Sequence, residues 1–146
     1  MLRIFPLRYL AVDYGRKRTG LALCDEGETM ASPLVVVEGT TGLIERIKQT
    51  LAREKIGAIV LGLPLNMDGT EGPQAAEVRT FGGLLQQRLK VPVKFFDERL
   101  SSFDAEEKLV GMDLTRGKKK KRLDAIAAAA FLQAFLDSRR KADSGG

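Results

Sequence analysis

The chain reads as an α/β fold: a five-stranded mixed sheet, three strands in an antiparallel meander and then two parallel strands, with helices on both faces. Three observations predict it. The apolar runs Tyr9–Val12, Leu21–Cys24 and Leu34–Val37 follow one another across short turns, as a meander requires. From Thr41 the apolar spacing changes from continuous to helical. Two later runs, Ala58–Leu61 and Val91–Phe96, each follow a helical segment, which is the connection that parallel strands need.

The first run, Tyr9-Leu10-Ala11-Val12, has no polar alternation and so predicts a strand buried on both faces. It ends at Asp13, a carboxylate that is costly there unless paired, hydrogen-bonded or bound to a cation. Gly15 and Gly20 are expected to supply positive φ in the turn that follows, around the cationic triplet Arg16-Lys17-Arg18. This stretch alone leaves open whether Asp13 is functional or a turn residue neutralised by those arginines. Asp25-Glu26-Gly27-Glu28 makes the second turn, and the β-branched Leu34–Val37 the third strand.

Leu43, Ile44, Ile47 and Leu51 then predict an amphipathic helix over Thr41–Lys55, terminated by Gly57. Ala58–Leu61 follows as a strand parallel to the first. Gly62–Pro73, dense in glycine and proline, is a long loop at that strand's carboxyl end, where open α/β sheets place ligands. A helix carrying Val78, Phe81, Leu84, Leu85 and Leu89 leads to the fifth strand, whose Pro92 suits a sheet edge. That strand ends in Asp97-Glu98. Ser101 and Asp104 resemble a capping box for a helix through Leu109. The basic run Arg116–Arg122 reads as mobile, because like charges repel. On the last helix, Leu123–Leu136, Asp124 lies on the apolar stripe of Ala127, Ala128, Phe131, Leu132 and Phe135. Residues 1–138 are thus expected to form one domain, and 139–146 a basic, disordered tail.

Composition limits the chemistry. The chain of 146 residues has no histidine and one cysteine, Cys24, in an apolar strand. These facts exclude an internal disulfide, a multi-cysteine zinc site, histidine general bases and Ser-His or Cys-His pairs. Catalysis must rest on carboxylates, lysines or hydroxyls, and a metal should be a hard ion such as Mg²⁺ or Mn²⁺. The net charge of +5 is concentrated at Arg16–Arg18, Arg116–Arg122 and Arg139–Lys141, which suits a polyanionic partner. No apolar run is long enough for a bilayer, and Met1–Pro6 does not read as a secretory signal, so the expected compartment is cytoplasmic.

With right-handed crossovers, the first and fourth strands become parallel central neighbours and the fifth lies outside the fourth. Asp13 and Asp97-Glu98 then meet at one end of the sheet, within reach of Asp124. Such a cluster repels itself unless divalent cations shield it. Two ions about 4 Å apart can drive an in-line phosphodiester displacement without histidine.

Four segments in this order, V-D-Y-G-x-K-R-x-G, G-L-P-L-N-M-D-G-T, D-E-R-L-S-S and L-D-A-I-A-A-A-A-F-L-Q, resemble the YqgF/RuvX family of RNase H-like proteins. The resemblance spans Tyr9 to Leu136. It implies an RNase H-like fold and an endonuclease acting either in 5′-end maturation of pre-16S rRNA or as a Holliday junction resolvase, on pre-rRNA or branched DNA respectively. Carried over, Asp13 matches the first-strand acid, Asp97-Glu98 the acidic pair after the fifth strand, and Asp124 the last-helix acid. Related resolvases take their second acid after the fourth strand, where this chain offers Asn66 and Asp68. The expected catalytic acids are Asp13, Glu98 and Asp124, with Asp97 as a further metal ligand and Asp68 as a distal one. Arg16, Lys17, Arg18, Arg99, Lys118, Lys119, Lys120 and Lys121 are the expected nucleic-acid ligands. A resolvase making two symmetric cuts would be a homodimer, whereas a processing nuclease need not be. A non-catalytic nucleic-acid-binding module is the alternative, and a phosphotransferase related to actin and sugar kinases ranks last, for want of a second domain.

Overall fold

Strand β1 (Tyr9–Asp13) carries no charged side chain before its last residue, and Tyr9, Leu10, Ala11 and Val12 are fully buried. In the computed structural model, which describes residues 8–100 and 116–145, this strand occupies the middle of the sheet. Strands β2 (Arg18–Cys24) and β3 (Ala31–Glu38) complete an antiparallel meander on one side of it. Strands β4 (Ala58–Leu63) and β5 (Val93–Asp97) extend it in parallel on the other, giving the order β3-β2-β1-β4-β5. The predicted sheet, its order and its directions are those observed.

Strand alternation sorts the core into two layers. Leu10, Val12, Ile59, Leu61 and Leu63 face helices α1 (Leu43–Arg53) and α2 (Pro73–Leu89), packing with Ile47, Val78, Phe81 and Leu85. Tyr9, Ala11, Ala58 and Val60 face helix α3 (Arg116–Gly145), packing with Ala128, Phe131, Leu132 and Phe135. Each large apolar side chain so buried contributes about 1.5–3 kcal/mol. Gln133 ties α3 to the start of β3, accepting from Ala31 N at 2.9 Å and donating to Thr29 O at 2.9 Å. Among the described residues no helix is long and apolar enough to cross a membrane.

Several expectations need correction. Neither Gly15 nor Gly20 has positive φ; among the described residues those that do are Glu28, Lys55 and Lys90, and Gly39, Gly42 and Gly69. The first turn is therefore not a left-handed one. Thr19 holds it instead, donating its hydroxyl to Gly15 O at 3.2 Å while its oxygen accepts from Gly15 N. Arg18 belongs to β2 rather than to the turn, paired across to Glu38. The left-handed residue after α1 is Lys55, not Gly57. The basic run Arg116–Arg122 forms the opening turns of α3, and the helix continues through the expected tail to Gly145. Arg139 explains part of that extension: its guanidinium donates to the Tyr9 hydroxyl and lies over the Tyr9 and Phe135 rings. The helix expected from Ser101 to Leu109 lies outside the described residues.

Candidate active site

Asp13 ends β1 on the side that faces α3, opposite Gly20 of β2. Two glycines on this face bring the other acids to it. A Cβ at Gly20 would run into the backbone of Asp124 and Ala125. Its absence lets α3 cross close over β2, carrying Asp124 to the end of β1. A Cβ at Gly62 of β4 would stand 2.6 Å from Glu98 Oε1 and 2.7 Å from the Phe131 ring. The space left there is where Glu98, in the 3₁₀ turn Glu98–Leu100, folds over the sheet toward Asp13.

Asp97 goes the other way. It is paired with Leu63, which faces α2, so alternation turns it from Asp13. It accepts from Arg99 N at 2.9 Å and Arg99 Nη2 at 2.8 Å. Arg99 Nη1 in turn donates to the carbonyls of Asn66 and Met67, each at 3.2 Å. Asp97 and Arg99 thus clamp the loop after β4 to the end of β5. Within that loop Asp68 Oδ1 accepts from Thr70 N at 3.0 Å and from the Thr70 hydroxyl at 2.6 Å. These hydrogen bonds hold the carboxyls of both Asp97 and Asp68 below the usual range.

Asp13, Glu98 and Asp124 line one cleft of about 560 Å³, with Arg16, Lys17 and Arg18 along its edge. Burial pushes the Asp13 carboxyl up to about 9, reinforced by the charge of Glu98, a hydrogen bond with it and the charge of Asp124. Arg18 Nε donates to Asp124 Oδ2 at 3.1 Å, and Arg16 pairs with Glu77 across the cleft. Lys118 to Lys121 lie on the turns of α3 just ahead of Asp124; their side chains are outside the described residues.

The cleft also has walls that sequence reading passed over: Tyr14, Gln74 and Glu77. The signal for two of them was available. Gln74 stands three residues before Glu77 and four before Val78, so on the helix it neighbours both Glu77 and a position already read as facing the sheet.

The donor set fits a hard divalent cation. It is all oxygen, it comes from three separate elements, and the proton that Asp13 retains marks a surplus of negative charge which a cation would offset. Among the described residues no three acidic side chains are drawn together closely enough to form a ready-made cage. Asp13, Glu98 and Asp124 are the residues that would hold such an ion.

A five-stranded mixed sheet whose central strand carries an acid toward a covering helix, at a cleft edged with cations, defines an RNase H-like α/β protein. The chain belongs to the RuvX family: the family model described as RuvX, Holliday junction resolvase, matches residues 7–138. It is 45% identical over 135 residues to an Anaeromyxobacter protein named "Putative pre-16S rRNA nuclease", covering 91% of this chain and 98% of that one. A Brucella canis protein of the same name is 43% identical over 128 residues, covering 86% of this chain and 79% of its own. Among solved structures, RuvC of Thermus thermophilus in complex with a Holliday junction substrate superposes with a TM-score of 0.58 at 19% identity, covering 92% and 96% of the two chains. The fowlpox virus Holliday junction resolvase superposes with a TM-score of 0.53 at 14% identity, covering 90% and 99%. At these identities the structural likeness concerns the fold.

Proposed function

We propose that this chain is a divalent-metal-dependent endonuclease for structured nucleic acid, acting in 5′-end processing of pre-16S rRNA. The observation that carries the reading is the meeting of Asp13, Glu98 and Asp124 in one cleft edged by Arg16, Lys17 and Arg18. The names of the relatives, which match over most of both chains, support the substrate.

Asp13, Glu98 and Asp124 would hold Mg²⁺ or Mn²⁺. A cation bound there supplies Lewis-acid stabilisation of the charge that builds on phosphate oxygens during in-line displacement. The chain's own contribution is position and charge. Asp13 is fixed by its pairing with Gly20 of β2 and by the pairing of β1 with β4 up to Val12. Arg16, Lys17 and Arg18 hold the phosphates flanking the scissile bond. Asp97 and Arg99 act indirectly, by fixing the loop that borders the site.

Cleavage in Mn²⁺ and in EDTA, with endpoint mapping, tests the proposal on a pre-16S rRNA 5′-leader fragment. Metal-dependent cuts at one defined position, lost in Asp13→Asn, are the expected result; full activity in that variant overturns it. The family description favours a second reading, resolution of four-way DNA junctions, for which two symmetric cuts would call for a homodimer. Paired symmetric cuts in a junction, with the leader left intact, would favour that one.

A further inference from the structure

Beside the acidic cleft the surface changes character. A second groove, of about 360 Å³, opens over α2 and shares Tyr14, Arg16 and Glu77 with the cleft. Its other walls are Phe81, Leu84, Ala76 and Thr80, none of them charged. Arg16 and Glu77 pair with each other there. Beyond Arg16, which it shares with the cleft, this groove offers a phosphate no cation. An aromatic ring among apolar walls instead suits the face of a nucleobase.

The aromatic wall is built in advance. Tyr14 stacks on Phe81 with ring centroids 4.1 Å apart and planes 16° from parallel. Phe81 is only 7% exposed and belongs to the core between α2 and the sheet. The ring that meets a ligand is therefore ordered by folding rather than by binding, which lowers the entropic cost of the contact. At the rim, Leu84 leaves an apolar side chain 36% exposed. Tyr14 also directly follows Asp13 and lines both the acidic cleft and this groove, so the two are contiguous.

We infer that the Tyr14–Phe81 groove is a stacking subsite for one unpaired nucleobase beside the phosphate in the acidic cleft. The enzyme then acts on a strand that is single at that position. This rests on reading the cleft as a phosphodiester site. A base inside a duplex is covered on both faces by its neighbours and cannot present one to Tyr14.

Binding in EDTA tests the subsite without requiring cleavage, so its failure is separable from failure of the nuclease reading. The probes are a short single-stranded oligodeoxynucleotide, an abasic sugar-phosphate strand of equal length, and a duplex of that length. The wild-type chain should prefer the strand with bases to the abasic strand by about 5- to 100-fold. Tyr14→Leu should lose that preference while binding the abasic strand as before, which also reports that the variant is folded. Tyr14→Phe should keep it. Ala76→Leu, which fills the groove from an exposed position on α2, should lose it without touching the ring pair. Duplex binding should not respond to any of the three. A preference for bases that persists in both Tyr14→Leu and Ala76→Leu, or one absent from the wild type, overturns the subsite.

Discussion

Asp13 and Glu98 are hydrogen-bonded carboxyls brought together from the ends of β1 and β5, and the Asp13 carboxyl is pushed up to about 9. In the unfolded chain it ionises near 3.8, so folding takes up a proton between these two values. The stabilising contribution of the protonated form is fully present below 3.8 and is lost as pH rises toward 9. In EDTA, the wild type should lose more stability than Asp13→Asn between pH 5 and pH 8. At pH 8 the variant should be the more stable by about 1–3 kcal/mol, since the wild type must protonate on folding a carboxyl that is ionised in the unfolded chain, whereas the amide of Asn carries no such cost. Urea titrations at the two pH values check this. Mn²⁺ should raise the wild-type midpoint and leave that of Asp13→Asn nearly unchanged.

Gly62 makes room for Glu98, so Gly62→Ala should affect the site beyond its effect on stability. The new methyl meets the Glu98 carboxyl and the Phe131 ring, and neither can withdraw without moving off β4 or disturbing the α3 packing. A loss of about 1–3 kcal/mol is expected in urea unfolding. Cleavage should fall further than the unfolded fraction explains, because Glu98 is displaced from Asp13. Gly20→Ala should be worse than Gly62→Ala, since the obstruction there is the backbone of Asp124 and Ala125 rather than a side chain.

These glycines show where sequence reading stops. Strand runs, the helical spacing of α1 and the rule of right-handed crossovers were enough for sheet order and direction, because burial on one or both faces is written in the side chains themselves. Gly20 was legible as a glycine of a turn but not as a glycine of close approach, which depends on a helix more than a hundred residues away in the chain. Asp13 and Asp124 could be assigned to one end of the sheet from topology. Glu98 could be set ahead of Asp97 as a catalytic acid, but that Asp97 turns away from Asp13 needed the register of β5 against β4, since one residue reverses the face. The basic run ahead of Leu123 was misjudged because like-charge repulsion was weighed without the long apolar stripe that carries the helix.

The clamp formed by Asp97 and Arg99 gives a third expectation. Arg99 is largely exposed and its pairing contributes little to global stability, as for surface ion pairs in general. Its two hydrogen bonds to the carbonyls of Asn66 and Met67 nevertheless join the loop after β4 to β5. Arg99→Ala should therefore leave the unfolding midpoint almost unchanged while hydrogen exchange at Asn66 and Gly69 accelerates. Arg99→Lys should behave like Arg99→Ala, because a single ammonium cannot reproduce the forked contact with Asp97 and both carbonyls. Unchanged exchange in both variants would mean that the loop's own bonds, from Asn66 N to Thr70 O and from Gly69 N to Asn66 O, suffice.

Arg18 pairs with Asp124 at the position where a cation and a phosphate would both compete for charge. Before either binds, its guanidinium offsets part of the negative charge of the acidic cluster. The same guanidinium opposes a second cation by Coulomb repulsion and attracts a phosphate. Arg18→Gln should thus separate the two ligands: Mn²⁺ should bind several-fold more tightly in calorimetric titrations, whereas single-stranded oligonucleotide should bind more weakly. The slope of log affinity against log salt should fall by about 0.7, the value for one lost phosphate contact on a single strand. Tyr14→Leu, by contrast, should weaken oligonucleotide binding with no change in that slope, because stacking releases no counterions. A variant of Arg18 that weakened both ligands together would instead make the Arg18–Asp124 pair a support for the position of Asp124, and metal affinity would then depend on keeping it.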